Sequence, residues 1–190
     1  MPRLTFVNPD QSDPDVRALI DRANGGPQSM RWNVFNLIAL HSEGMRALLD
    51  LRDAFNRDLT PAEHELIAIE SARHNGCSYC APAHRLVCEQ IGFNRDDADA
   101  LIRGELLEHR ADLIGLQRFA RAALERKGKL SDVELATARE SGVTDRKMLA
   151  VLMELAFYTC LNFSNRLAAT PSEPEVEPYI SDAVAWVTPP

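Results

Sequence analysis

Apolar residues recur along this chain at three- and four-residue spacing, and no alternating β-branched run bounded by turns interrupts them, so the pattern predicts helices throughout. A short helix is expected over residues 15–23, closed by Asn24-Gly25-Gly26. A longer one is expected over 32–55, with Phe35, Leu37, Ile38, Leu48, Leu49 and Leu51 on it and Gly44 weakening its middle. Thr60-Pro61-Ala62-Glu63 supplies an N-cap, a proline at the first helical position and a capping-box glutamate, and the helix it opens should run to Gly76. The next must begin near Ser78 or Tyr79, because Pro82 is tolerated only in a first turn, and should end at Gly92. Further helices are expected over 96–103, over 107–127, over 133–140 behind a second capping box at Ser131 and Glu134, and over 145–168.

Prolines agree with an all-α fold. They gather before residue 28 and after residue 170, with only Pro61 and Pro82 between. The layout predicted is a single domain over 1–190: N-terminal helices in 1–56, a core in 57–170 and an acidic, Pro-rich tail in 171–190. Tyr179, Ile180, Val184 and Trp186 make that tail too apolar for a free linker, so it should wrap over the surface or over a neighbouring subunit.

Charge narrows the partners. Lys and Arg total 21 against 28 for Asp and Glu, a net charge of -7, which disfavours nucleic acid and anionic membrane surfaces and leaves a small molecule or another protein. The first residues contain no apolar signal-like segment, and the longest apolar run, 149–163, is interrupted by Glu154 and too short to span a bilayer. A cytoplasmic location is expected. A chain of 190 residues can bury a core without staples, so its four cysteines do not read as a disulfide framework. The close pair Cys77 and Cys80 therefore asks for a chemical explanation.

Both thiols fall at the predicted start of a helix, where free N–H groups and the positive dipole end favour thiolate over thiol. His84 lies four residues after Cys80, on the same helix face, and can take or relay the thiol proton. Cys77 is near enough in sequence to close a disulfide with Cys80. In thioredoxin-like dithiols the first cysteine is the nucleophile, and the residues alone leave open which thiol leads. A thioredoxin fold itself is not expected, since no strand precedes Cys77.

The bland readings differ from residue to residue. His74, Cys77, Cys80 and His84 also form a compact zinc-type set, although without the longer loop usual in a zinc finger. Glu65, by spacing alone, reads as a solvated helix charge. Cys88 and Cys160 read as buried small hydrophobes, and His41, His64 and His109 as surface or capping residues.

The series Glu65, Cys77-Ser-Tyr-Cys80, His84, with offsets of 12, 3 and 4, resembles the alkylhydroperoxidase AhpD and carboxymuconolactone decarboxylase superfamily, in its peroxidase-related branch. Asn165-Arg166-Leu167-Ala168 resembles the terminal core-helix motif of that branch. The resemblance implies an AhpD-like helical bundle and a dithiol peroxidase acting on hydrogen peroxide or small organic hydroperoxides. It implies that Cys80 attacks, that Cys77 captures the resulting sulfenic acid as a disulfide, and that Glu65 and His84 relay protons. Tyr79 stands where the best-known AhpD proteins carry His, and is a candidate substrate contact. No cofactor or metal is implied. Electrons would return from an external dithiol carrier of lipoyl or thioredoxin type, and a homo-oligomer is expected. The alternatives are a zinc-binding or redox-sensing interaction module and a lactone decarboxylase-like enzyme.

Overall fold

The computed structural model describes residues 2–180. Among these it shows nine α-helices and no strand: α1 Pro14–Asn24, α2 Asn33–Ile38, α3 Ser42–Phe55, α4 Pro61–Asn75, α5 Cys80–Gln90, α6 Arg95–Arg103, α7 Ile114–Glu125, α8 Asp132–Glu140 and α9 Asp145–Ala168. The all-α expectation holds.

Helix α4 is the centre. Leu66, Ile67, Ala68, Ile69 and Ala72 are all at most 1% exposed, because α9, α5, α6 and α7 pack around them. A helix apolar on every side is one that is surrounded. Its start is the expected capping box, with the Thr60 hydroxyl accepting from Glu63 N and the Glu63 carboxylate accepting from Thr60 N at 2.8 Å. Its end needs Gly76, whose φ of 63° lies in the left-handed region and whose missing Cβ leaves room for the Arg166 guanidinium. A smaller apolar cluster under α1 holds Leu19, Ile20, Met45 and Leu49, and Phe35 and Ile38 pack against both clusters.

Three boundaries differ from expectation. The helix predicted over 32–55 is broken by a 3-10 turn at Ala39–His41, and the break precedes Gly44 because the His41 imidazole caps the new helix, its Nδ1 accepting from Gly44 N at 3.0 Å. The helix predicted from 107 begins at Ile114. Before it, the buried Gln117 side chain accepts from Leu107 N and donates to Glu105 O, both near 2.9 Å, and so takes up backbone groups that another helical turn would have paired. The tail as far as Ile180 folds on this chain: Val176 is fully buried, and Tyr179 O accepts from Arg85. Val184 and Trp186 lie outside the described residues.

Helix α9 also departs from the reading of its apolar run. With 24 residues it is long and apolar enough, by length and composition, to cross a membrane, yet its inner face carries Glu154, Asn162 and Asn165 into the core. Its outer face is apolar too, with Leu149, Met153, Phe163 and Leu167 exposed. Cys160 sits on that outer face and is exposed, not buried as its surroundings in sequence suggest; Cys88 is buried as expected.

One close approach is testable. A Cβ on Gly115 would meet the Ser141 side chain at 2.5 Å or less, where α7 meets the end of α8. Gly115→Ala should therefore cost about 1–3 kcal/mol in chemical denaturation, as overpacking does, and adding Ser141→Gly should recover most of it. An unchanged midpoint for Gly115→Ala would show that the two helices separate freely.

Candidate functional site

The turn after α4 builds the dithiol. Gly76 and Cys77 close the Schellman-type end of α4, with Cys77 N bonding Ala72 O at 2.9 Å, and Cys77 O then accepts from Cys80 N to start α5. Cys80 is the first residue of α5 and Pro82 sits within its first turn. The N-cap residue Tyr79 makes no capping bond, and the Cys77 sulfur receives the first N–H of α5 at 3.3 Å, so the positive end of the helix faces the sulfurs. Cys77 and Cys80 form a disulfide with a Cα–Cα distance of 5.4 Å. Cys77 is fully buried and Cys80 is 4% exposed.

Cys80 borders a cavity of about 350 Å³ that also exposes Glu65, His84, Tyr79, Tyr158, Asn162 and Asn165. Trp32, Phe35 and Phe157 make much of its wall apolar. Glu65 reaches the cavity from α4 and His84 from α5, and their side chains meet, His84 Nδ1 lying 2.9 Å from Glu65 Oε2. Glu65 is thus a buried, paired carboxylate and not the solvated charge its spacing suggests. The Tyr158 ring stands edge-on to the His84 imidazole, with centroids 5.1 Å apart, and fixes its plane.

Tyr79 lines the cavity, but its buried hydroxyl donates to Glu173 Oε1 at 2.6 Å. The hydroxyl is committed to the tail, so only the ring remains for a ligand. Burial pushes the Tyr79 phenol far up, so it stays a donor, and burial likewise raises Glu173.

Four polar residues of α9 were not legible as site residues. Asn162 and Asn165 each place an amide nitrogen on Cys80 Sγ, at 3.1 and 3.3 Å. Tyr158 holds His84, and Glu154 pairs with His64 at 2.7 Å, which makes His64 a partly buried ion-pair residue and not a surface one. Asn165 belongs to the motif singled out in sequence; the others carry no spacing signal, because their partners lie far away along the chain. His109 is exposed and pairs with Asp97. The zinc-type set is not assembled: His74 is exposed, His84 is turned to Glu65, and among the described residues no group of three or more His, Cys, Asp or Glu is placed to hold a metal.

Residues 42–126 match the model of the carboxymuconolactone decarboxylase family. Two crystal structures share the fold. One is described as an alkylhydroperoxidase AhpD core, an uncharacterized peroxidase-related protein from Ralstonia eutropha JMP134, at a TM-score of 0.77 and 21% identity over 92% of this chain and 94% of that one. The chain shares the AhpD-like all-helical fold. The second structure, an uncharacterized peroxidase-related protein from Silicibacter sp. TM1040, gives a TM-score of 0.71 and 19% identity over 91% of this chain and 94% of that one. No curated protein sequence matches the chain. The matched segment contains Glu65, Cys77, Cys80 and His84, and ends before α8 and α9.

The pair beside the site titrates. Burial pushes the Glu154 carboxyl up to about 7 against the pull of His64, while for His64 burial pulls down and the bond to Glu154 together with the charges of Glu154 and Glu65 overcomes it, so its pKa is raised. A group raised in the folded state stabilises fully below its unfolded pKa and loses that contribution as pH climbs through the folded value. Stability should therefore fall from about pH 5 to about pH 8 more steeply in wild type than in Glu154→Gln, read as denaturation midpoints. Parallel curves would remove Glu154 as the source.

Proposed function

We propose that this protein is a dithiol peroxidase. The observation that carries the reading is that one cavity joins the Cys80 side of the disulfide to the Glu65–His84 pair. His84, oriented by Glu65, takes the proton of the Cys80 thiol. The thiolate attacks one peroxide oxygen: an S–O bond forms, the O–O bond breaks, and the departing alkoxide or hydroxide takes the proton back from His84. Cys77 then attacks the sulfenic sulfur, water leaves, and the disulfide results. An external dithiol of lipoyl or thioredoxin type restores both thiols and leaves as a disulfide. The apolar wall favours organic hydroperoxides over hydrogen peroxide alone.

We also propose that two copies pair through the outer face of α9. Between Lys147 and Arg166 its only charge is the buried Glu154, so a second copy can present the same uncharged stripe in an isologous contact. The net charge of -7 argues against an anionic lipid surface as the occupant. Light scattering should give a dimer that Leu149→Lys with Phe163→Lys converts to a monomer; a monomeric wild type overturns the pairing.

The test of the chemistry is peroxide consumption with free thiols counted. Stoichiometric peroxide should lower the reduced protein's thiols from four to two per chain. Cys77→Ser should leave a sulfenic or over-oxidised Cys80, and Cys80→Ser should be inactive. His84→Ala and Glu65→Gln should slow the reaction by up to about 10²–10⁴-fold, the range positioned acid–base groups supply, with Glu65→Gln the milder. A protein that consumes no peroxide, or that binds about one zinc per chain on its thiols, sinks the reading.

A further inference from the structure

The sulfur of Cys80 sits between two carboxamides, and they are held in different ways. The orientation of Asn162 is fixed: its Oδ1 accepts from Ser71 Oγ at 3.0 Å and from Asn75 Nδ2 at 2.9 Å. A carboxamide whose oxygen is taken by two donors can only turn its NH₂ group the other way, toward Cys80 Sγ. Asn75 also bonds Ser71 Oγ, so α4 supplies the whole brace.

Asn165 has no such brace. It is 3% exposed, its Oδ1 finds no hydrogen-bond partner among the described residues, and its amide bonds the sulfur alone. A buried carbonyl without a partner lowers stability, and a bond to a neutral disulfide sulfur is too weak an acceptor contact to compensate. The arrangement is explained by what the sulfur becomes. On reduction Cys80 can carry a negative charge, and N–H bonds to a charged acceptor are roughly twice as strong as to a neutral one. Cys77 Sγ receives one backbone N–H, from Cys80 at 3.3 Å, and no side-chain donor among the described residues.

We propose that Asn162 and Asn165 are catalytic residues that make Cys80 the thiolate of the reduced pair and the leaving sulfur of the oxidised pair. The assignment rests on the peroxidase reading only for the use to which the thiolate is put. It also gives the dithiol a direction. An incoming thiolate of an external dithiol attacks Cys77: a bond forms between its sulfur and Cys77, the Cys77–Cys80 bond breaks, and the electron pair stays on Cys80 between the two amides. The second thiolate of the reductant then displaces Cys77, and the reductant departs as its own disulfide. Cys77 borders a separate cavity of about 290 Å³ with Arg3 and Arg166 on its wall, so a thiolate approaching it meets positive charge, away from the apolar cavity beside Cys80.

The experiment uses full-length reduced protein without peroxide. Alkylation by iodoacetamide as a function of pH, with the modified site read by mass spectrometry, gives the two thiol pKa values. Cys80 should be the lower, and Asn165→Leu and Asn162→Leu should each raise it by about one unit, tenfold in thiolate at a given pH below the pKa. Asn165→Leu should keep or raise the thermal midpoint, since it removes an unpaired buried carbonyl, whereas a structural asparagine would lower it. Asn162→Leu takes an acceptor from Ser71 and Asn75, so should it not fold, the pKa and thermal midpoint of Asn165→Leu decide. Oxidised wild type treated with glutathione and quenched with acid should carry the mixed disulfide on Cys77, and Asn165→Leu on both cysteines. A Cys80 pKa unmoved in both single variants, or an adduct mainly on Cys80 in wild type, overturns the proposal. If the pKa shifts are seen in a protein that consumes no peroxide, the peroxidase reading fails and the amide assignment stands. If wild type and variants consume peroxide with equal pKa values, the amide assignment fails instead.

Discussion

The site exists because α4 and α9 lie side by side in one register. Their paired residues rise together along both helices, Glu63 with Lys147, His64 with Glu154, Ser71 with Asn162 and Asn75 with Arg166, so the two helices run in the same direction. Apolar burial between them supplies the attraction but is tolerant of sliding, since one leucine-lined groove accepts another. The polar ties are not tolerant. A slip of one turn, about 5.4 Å, would carry Asn162 off the sulfur and take from Ser71 and Asn75 their shared acceptor, leaving buried donors under-satisfied at about 1–3 kcal/mol for each orphaned group. Register, and with it the surroundings of Cys80, is set by hydrogen bonds inside an apolar contact.

Buried polar groups in this chain divide into two kinds. Glu70 is fully buried, yet Arg121, Arg73 and Gln117 all donate to it, and the network clamps α4 to α7 with its carboxylate oxygens occupied. Around the cavity the satisfaction is incomplete: Glu154 Oε2, Asn165 Oδ1 and Glu173 Oε2 have no partner among the described residues. Native interiors pair nearly all such atoms, and the exceptions call for a reason. They are not confined to the cavity, since Asp21, Asn36 and Thr170 also carry such atoms, but Asn165 is the one whose side chain contacts Cys80 Sγ.

The tail is tied to the dithiol turn. Glu173 accepts from Tyr79 and from Asn33 N, joining the residue between the two cysteines to the start of α2 and to the C-terminal segment. Tyr79 is therefore a tether. The Glu65–His84 pair lines the cavity beside the sulfur, and the amides of α9 contact Cys80 Sγ.

The sequence by itself determined the elements that local chemistry controls. The capping boxes at Thr60 and Ser131 and the helix stop at Gly76 depend on residues within a few positions of one another, and so do the helical offset from Cys80 to His84 and the placement of Cys80 at a helix start. The same locality explains the misses. His41 could cap a helix only if the chain turned there, Cys160 could be exposed only because α9 is apolar on both faces, and Glu65 became a buried partner only when α5 crossed α4. Tertiary structure alone decided which donors surround the sulfur. Asn162 and Asn165 stand more than eighty residues from Cys80; Asn165 falls in a recognisable motif, but neither asparagine's contact with the sulfur shows until another helix brings its amide within hydrogen-bond distance. Spacing within a helix can announce a pair of groups on one face; a contact between helices is fixed by packing and register, which no local pattern encodes.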